Sequence, residues 1–281
     1  GSGMDQEKRT FGGNVMPEEK NPYGKVSRFS ITAGTREGQT ILEDFSYTSP
    51  FKIMQPFPLK GGGIQVMMLA ASPGIMAGDL QEFSFHIKEG ARTEFISQSY
   101  DKVHYMEEGK AGRHTFVFVE KGGTFFFHPQ PMIPFKGSAF ENTMEIRLED
   151  ESSRFFMSEI LSCGRYARGE KFAYRFYHNL VRIYRKGKLI YRDNTRYDPV
   201  LFSMDSMGMY ESYTHLACIF LTPPEDPENF VSKVTDLLEN TSDITGGITR
   251  LPQGDLAVRI LGRRGQVLEE LSQKILLCSG L

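Results

Sequence analysis

Hydrophobic and polar residues alternate with period two along most of this chain. Phe83, Phe85 and Ile87 interleave with Ser84, His86 and Lys88. Met144, Ile146 and Leu148 interleave with Thr143, Glu145 and Arg147, and Phe172, Tyr174 and Phe176 with Lys171, Ala173 and Arg175. Such alternation predicts strands with one buried face. Glycine-bearing turns punctuate it at Gly61-Gly62-Gly63, Glu89-Gly90, Lys121-Gly122-Gly123 and Lys186-Gly187.

Four breaks look related. Gly62, Gly90, Gly122 and Ser152 each precede an apolar run, at spacings of 28, 32 and 30 residues. The runs are Ile64 to Leu69, Phe95 to Ile96, Phe125 to Phe127 and Phe155 to Met157. A repeat of that period suggests strands stacked layer on layer, as in a solenoid. Ordinary hairpins in a sandwich make the same turn-then-strand units, so periodicity leaves both open. Helix signals come late. Asp226 can cap a helix with Pro227 in its first turn, and Phe230, Val231, Val234, Leu237 and Leu238 then share a face. A second helix is predicted from about Gln266 to Leu277, with strands at Ile244 to Arg250 and Leu256 to Leu261 between the two. The expected fold is therefore mainly β with two C-terminal α-helices. Residues 1–24 read as tag and flexible arm, 25–281 as one β-rich domain, and 211–281 as a small βαββα-like part of it.

At 281 residues with 40% hydrophobic content, the chain can bury a sizeable core. A net charge of −2 argues against nucleic acid, whose phosphates call for a basic surplus. No apolar run reaches the roughly 18 residues of a membrane-spanning helix. Cys163, Cys218 and Cys278 are odd in number and far apart, which predicts a reducing, cytoplasmic setting and no thiolate metal cage.

Several chemistries have no motif here. The chain lacks a GxxxxGK[ST] phosphate loop, a GxGxxG before a helix, an HExxH and a GxSxG elbow. The six histidines, His86, His104, His114, His128, His178 and His215, are never within five residues of one another. Two carboxylates sit on glycine turns, Asp79 after Gly78 and Glu170 after Gly169. Read locally, Asp79 caps its own turn and Glu170 is a loop charge that Arg165 or Arg168 can pair.

The wording around these turns carries a resemblance. Pro50-Phe51-Lys52-Ile53-Met54-Gln55-Pro56-Phe57, Ser72 to Asp79, Ser97 to His104, Pro129-Gln130, Arg165 to Phe172 and Tyr213-Thr214-His215 occur in family-like order and spacing. The chain resembles the UreD family of urease accessory proteins, called UreH in Helicobacter. The resemblance implies a stacked, two-layered β-helical body. It implies a non-enzymatic scaffold that passes nickel to apo-urease through a water-filled tunnel, with a UreF-like adaptor and a UreG-like GTPase. It also implies a dimeric assembly through the adaptor, nickel in transit, and no resident cofactor. Asp79 and Glu170 match the family's Gly-Asp and Gly-Glu acids and are the tunnel candidates, with His104 a third. Gly74, Gly78, Ser97, Lys102, Arg165 and Gly169 support those motifs. Isolated carboxylates suit a conduit, because imidazole or thiolate cages would trap Ni²⁺. Unpaired in a narrow passage, they should have raised pKa values.

The chain departs from the family at Ala77-Gly78, where many members have Gly-Gly, and at Pro131, where many have an acid. Phe125-Phe126-Phe127 and Phe155-Phe156 require cover on both faces, either from a second layer or from a partner. Met204, Met207, Met209 and Tyr210 make a Met-rich stretch that suits either an interface or core filling. Two rivals stand beside the conduit. One is a β-rich hydrolase or isomerase using Asp79 and Glu170 as an acid/base pair roughly 5 to 10 Å apart. The other is a purely structural adaptor.

Overall fold

The computed structural model describes residues 23–204 and 210–281. Among them the chain forms β1 (Lys25–Arg36), β2 (Gln39–Tyr47), β3 (Phe51–Ile53), β4 (Phe57–Pro58), β5 (Ile64–Ala70) and β6 (Asp79–Ile87). It continues through β7 (Arg92–Ser97), β8 (Asp101–Val103), β9 (Ala111–Val119), β10 (Thr124–His128), β11 (Met132–Pro134) and β12 (Ala139–Leu148). Then come β13 (Arg154–Ser162), β14 (Phe176–Arg185), β15 (Lys188–Tyr197), β16 (His215–Leu221), α1 (Pro227–Glu239), β17 (Ile244–Arg250), β18 (Leu256–Gly262) and α2 (Gly265–Ser279). The fold is mainly β with two helices.

The strands form two sheets. The first is seven-stranded, in the order β15-β14-β12-β9-β6-β1-β2. The second follows the path β17-β18-β16-β13-β10-β7-β5-β3. From β5 onward the chain crosses between sheets at nearly every step: β5, β7, β10 and β13 are parallel neighbours in one sheet, and β6, β9, β12 and β14 in the other. The four related turn-and-strand units are thus adjacent parallel strands, not successive hairpins.

Register explains the alternation. Val66, Phe95, Phe127 and Met157 stand side by side. Opposite them stand Ile31, Phe85, Val117, Ile146 and Ile183. All lie in one core between the sheets. Burying each large side chain there contributes roughly 1.5–3 kcal/mol.

The consecutive phenylalanines are covered on both faces. Phe125, Phe127 and Phe155 join the inter-sheet core. Phe126 and Phe156 point the other way, into a second core with Phe230, Val234, Leu268, Leu271 and Ile275 of the helices. The cover is a third layer made by α1 and α2. Asp226 caps α1, its Oδ1 accepting from Asn229 N at 3.2 Å, with Pro227 in the first turn. Met204 and Tyr210 are buried in a third cluster at one end of the body, where Tyr210 N–H donates to Met204 O at 2.9 Å. Met207 and Met209 lie outside the described residues.

Candidate functional site

One rank of the inter-sheet interior is polar. Ser27, Gln81, Arg113, Asn142, Asn179 and Thr195 occupy one register line across six strands of the first sheet. Each is in the inward phase, two positions from a core residue such as Phe29, Phe83 or Met144. From the facing sheet, Glu159 of β13 lines up with Cys218 of β16 and Arg259 of β18.

Hydrogen bonds tie the rank together, as buried polar groups require. Arg113 donates to Gln81 Oε1 from Nε at 3.0 Å and from Nη2 at 2.7 Å. Its Nη2 also lies 3.0 Å from Asp101 Oδ1, and its guanidinium sits over the Phe83 ring at 4.6 Å. Asn142 Nδ2 donates to Asn179 Oδ1 at 2.9 Å and to Glu159 Oε2 at 3.2 Å. Asn179 Nδ2 donates to Asp193 Oδ2 at 2.9 Å.

Cavities follow this rank. An outer cleft of about 170 Å³ is lined by Asp79, Gln81, Ser97, Asp101 and others. An inner chamber of about 30 Å³ is lined by Asp101, Arg113, Gln130, Glu159, Asn179 and Cys218. That volume has room for about one or two waters. A third hollow of about 260 Å³ takes in Tyr191, Cys218 and Arg259. Asp101 belongs to both the cleft and the chamber, and Cys218 to both the chamber and the far hollow.

The chamber perturbs its titratable groups. Burial pushes the Glu159 carboxyl up to about 7, the Arg113 charge and the Asn142 hydrogen bond oppose this, and Asp193 and Asp101 reinforce it. Burial pushes the Cys218 thiol up to about 12. Oxygen donors predominate, with carboxylates spaced among amides. No three His, Cys, Asp or Glu side chains converge to hold a metal among the described residues. Such a lining can offer a cation successive weak contacts without a closed coordination shell.

The two acids expected from sequence occupy different surroundings. Asp79 opens β6 and lines the cleft; its Oδ2 accepts from Met76 N at 2.8 Å. It therefore closes its own turn and faces the hollow at once. Glu170 is held by Arg165 Nε on one oxygen and by Lys136 N at 2.8 Å on the other. The Arg165 hydrogen bond, with help from Lys136 N–H, holds its carboxyl below the usual carboxylate range. That corrects the expectation of a raised value: the group is paired, not isolated. None of the cavities described here is lined by both acids, so the geometry assembles no acid/base pair from them.

His104 is bound structurally. Its Nε2 lies 2.8 Å from Pro73 O and its ring packs edge-on against Phe135. Gly74 makes this possible: φ is +145°, and a Cβ there would fall 2.6 Å from His104 Nε2 and from Lys102 O. Gly78 and Gly169 also have positive φ. Ser97 Oγ accepts from Gln130 N at 2.9 Å, joining two motif segments. Lys102 is exposed at the cleft. Arg165 stacks over Phe135 at 4.0 Å. His215 Nδ1 is 2.8 Å from Thr214 Oγ1, and burial pushes its pKa down to about 4.

Sequence reasoning missed Gln81, Arg113, Asn142, Glu159, Asn179 and Asp193. The signal was present in the strands themselves: a polar residue in the inward phase just before an apolar run, as Asn142 precedes Met144, Ile146 and Leu148.

Fold and site together define a two-sheet β protein, backed by helices, that encloses a line of buried polar side chains. A family model described as UreD urease accessory protein matches residues 25–279. The chain belongs to this family of urease accessory proteins. It is 35% identical over 257 residues to the urease accessory protein UreD of Acetivibrio thermocellus, covering 91% of this chain and 98% of that one. It is 33% identical to the urease accessory protein UreH of Helicobacter pylori strain G27, covering 91% and 95%. Identity to UreD of Flavobacterium johnsoniae is 28%, covering 89% and 91%. No described helix is long and apolar enough to cross a membrane.

Proposed function

We propose that this protein is a non-enzymatic scaffold in urease maturation and a conduit for nickel, which is cargo and not a resident cofactor. It acts as one unit from residue 25 onward, in the cytoplasm. Its partners are a UreF-like adaptor, a UreG-like GTPase acting in trans, and the urease apoenzyme, in an assembly made dimeric by the adaptor.

The observation that supports the conduit is the succession of cleft, chamber and hollow along one polar rank. The route runs from Asp79 past Asp101 to Glu159 and Asp193. Reading the body as a stacked two-layered coil explains why the rank is unbroken: each coil adds one inward residue at the same height. Carboxylates and amides replace hydration water without holding the ion tightly, which transport requires. Glu170, closed by Arg165, carries less of this reading than Asp79.

The test is urease activation in a reconstituted system. Asp79→Ala and Glu159→Gln should each lower activation at least tenfold while the accessory complex still assembles. Full activation with both substitutions combined would leave only the scaffold.

A further inference from the structure

The charge around the Asp79 cleft does not suit direct capture of a free cation. Lys25 and Lys102 line it together with Asp79 and Asp101. Asp101 is engaged by Arg113 at 3.0 Å. Asp79 already accepts from Met76 N. Lys25 stands beside Asp79 as its register partner across β1 and β6. Neither lysine is in an ion pair among the described residues. With Asp101 neutralised by Arg113 of the inner chamber, two lysines face one unpaired carboxylate, which leaves an excess of one positive charge at the entrance. A dication arriving from bulk solvent meets like charge there.

We propose that this cleft is a docking slot for a carboxylate side chain on an acidic segment of a partner protein, clamped by Lys25 and Lys102. Its volume of about 170 Å³ admits one or two side chains and not a helix. Its rim is held firmly: Ile75 N–H donates to Lys102 O at 2.7 Å, His104 N–H donates to Ile75 O at 2.9 Å, and Gly74 packs on His104. A slot formed before binding loses little entropy on occupation. Tyr100, 47% exposed at the rim, offers an aromatic face with a hydroxyl, a common anchor for a partner's chain. A partner carboxylate satisfies the two ammonium groups and cancels the excess positive charge of the entrance. Seated, it leaves Asp79 in a mouth that no longer repels a dication, so a cation enters more readily beside the docked partner. This last step rests on the conduit reading; the slot itself rests on the charges and shape of the cleft.

The experiment uses the full chain with its lysines ¹³C-dimethylated and followed by NMR. The probe is a capped tetraglutamate peptide, with capped tetraglutamine and acetate as controls. Tetraglutamate should shift the Lys25 and Lys102 signals saturably, while tetraglutamine leaves them in place. Affinity should fall at least fivefold in Lys25→Ala/Lys102→Ala and stay unchanged in Lys233→Ala. Equal binding by the double variant would overturn the slot. Acetate binding as tightly per carboxylate would overturn the partner segment in favour of free organic acids. A tenfold gain of affinity in Glu18→Gln/Glu19→Gln would also overturn it, marking the chain's own N-terminal acids as the occupant. Urease activation by Asp79→Ala is read separately. Lost activation without peptide binding removes the slot and keeps the conduit, and the reverse removes the conduit and keeps the slot.

Discussion

Arg113 and Asp101 meet at 3.0 Å where the outer cleft joins the inner chamber, with the guanidinium almost wholly enclosed. A charge is tolerated there because Gln81, Asp101 and the Phe83 ring together replace its hydration. The pair stands between the cleft and the chamber and anchors β9 to β8 and β6.

Removing one partner should therefore be costly. Arg113→Met leaves Asp101 buried without its cation and should destabilise the fold by about 3–5 kcal/mol. Adding Asp101→Asn should recover a large part of that loss, because no charge is then stranded. Urea unfolding of the four proteins in a double-mutant cycle measures the coupling. Additive losses would show that the two side chains are independent.

Glu159 predicts a pH dependence with a definite sign. Its folded value of about 7 lies above the ordinary 4.5. The folded chain keeps this proton while the unfolded chain releases it, so stability falls as pH rises from about 4.5 to 7. The full cost, up to about 3 kcal/mol before screening by chamber water, applies above pH 7. His128 and His215, whose values burial lowers to about 4, act oppositely and lose stability as pH falls from 6.5 to 4. Between pH 4.5 and 7 the carboxyl therefore opposes the two histidines. Glu159→Gln should remove that opposing fall, so that stability rises more steeply with pH in this window and is higher at pH 8. A slope unchanged by the substitution would contradict the buried assignment.

Much of this fold is legible in the pattern of residues. The two late helices, the need to cover Phe125-Phe126-Phe127 on both faces and most strands follow from periodicity and local caps; the alternation of Phe172, Tyr174 and Phe176 is the exception, since that segment is a loop with Phe172 at positive φ and β14 starts only at Phe176. The site is less legible, for a physical reason. Asn142 and Glu159 are each the one polar side chain in the inward phase of their strand, and Asn179 shares that phase in β14 with Arg185 at the strand's end. Only parallel stacking puts Asn142 between Arg113 and Asn179, and only the facing sheet brings Glu159 to it. The glycine turn marks Asp79 in the sequence, and its alignment with inward-facing Gln81 and Phe83 is what gives that turn a cavity to face. Glu170 shares the glycine context but not the inward phase, and nothing local says that Arg165 closes on it.

Gly74 should resist any side chain. With φ at +145° and His104 Nε2 and Lys102 O both 2.6 Å from a would-be Cβ, Gly74→Ala strains the backbone and displaces two segments of the cleft rim. We expect a loss of roughly 1–3 kcal/mol, seen as a fall of about 5 °C in Tm. Gly187→Ala is the control: its φ is also positive, but its Cβ would meet nothing within 4 Å. An equal loss in both would assign the effect to φ alone and remove the packing argument.

The two motif acids should separate on substitution. Glu170 bridges Arg165 and the Lys136 backbone, so its effect should be transmitted through that bridge. Arg165→Ala and Glu170→Ala should then be interchangeable, each lowering stability by about 1 kcal/mol and each leaving urease activation within twofold of the unsubstituted protein. Asp79→Ala should differ from both, lowering activation tenfold or more with little change in unfolding. The comparison works because Arg165 cannot itself bind a cation. If Glu170 contacts the metal, Glu170→Ala loses activation while Arg165→Ala keeps it or improves it by freeing the carboxylate. Parallel loss of activation in both variants, with assembly also lost, would mean that the bridge shapes a docking face.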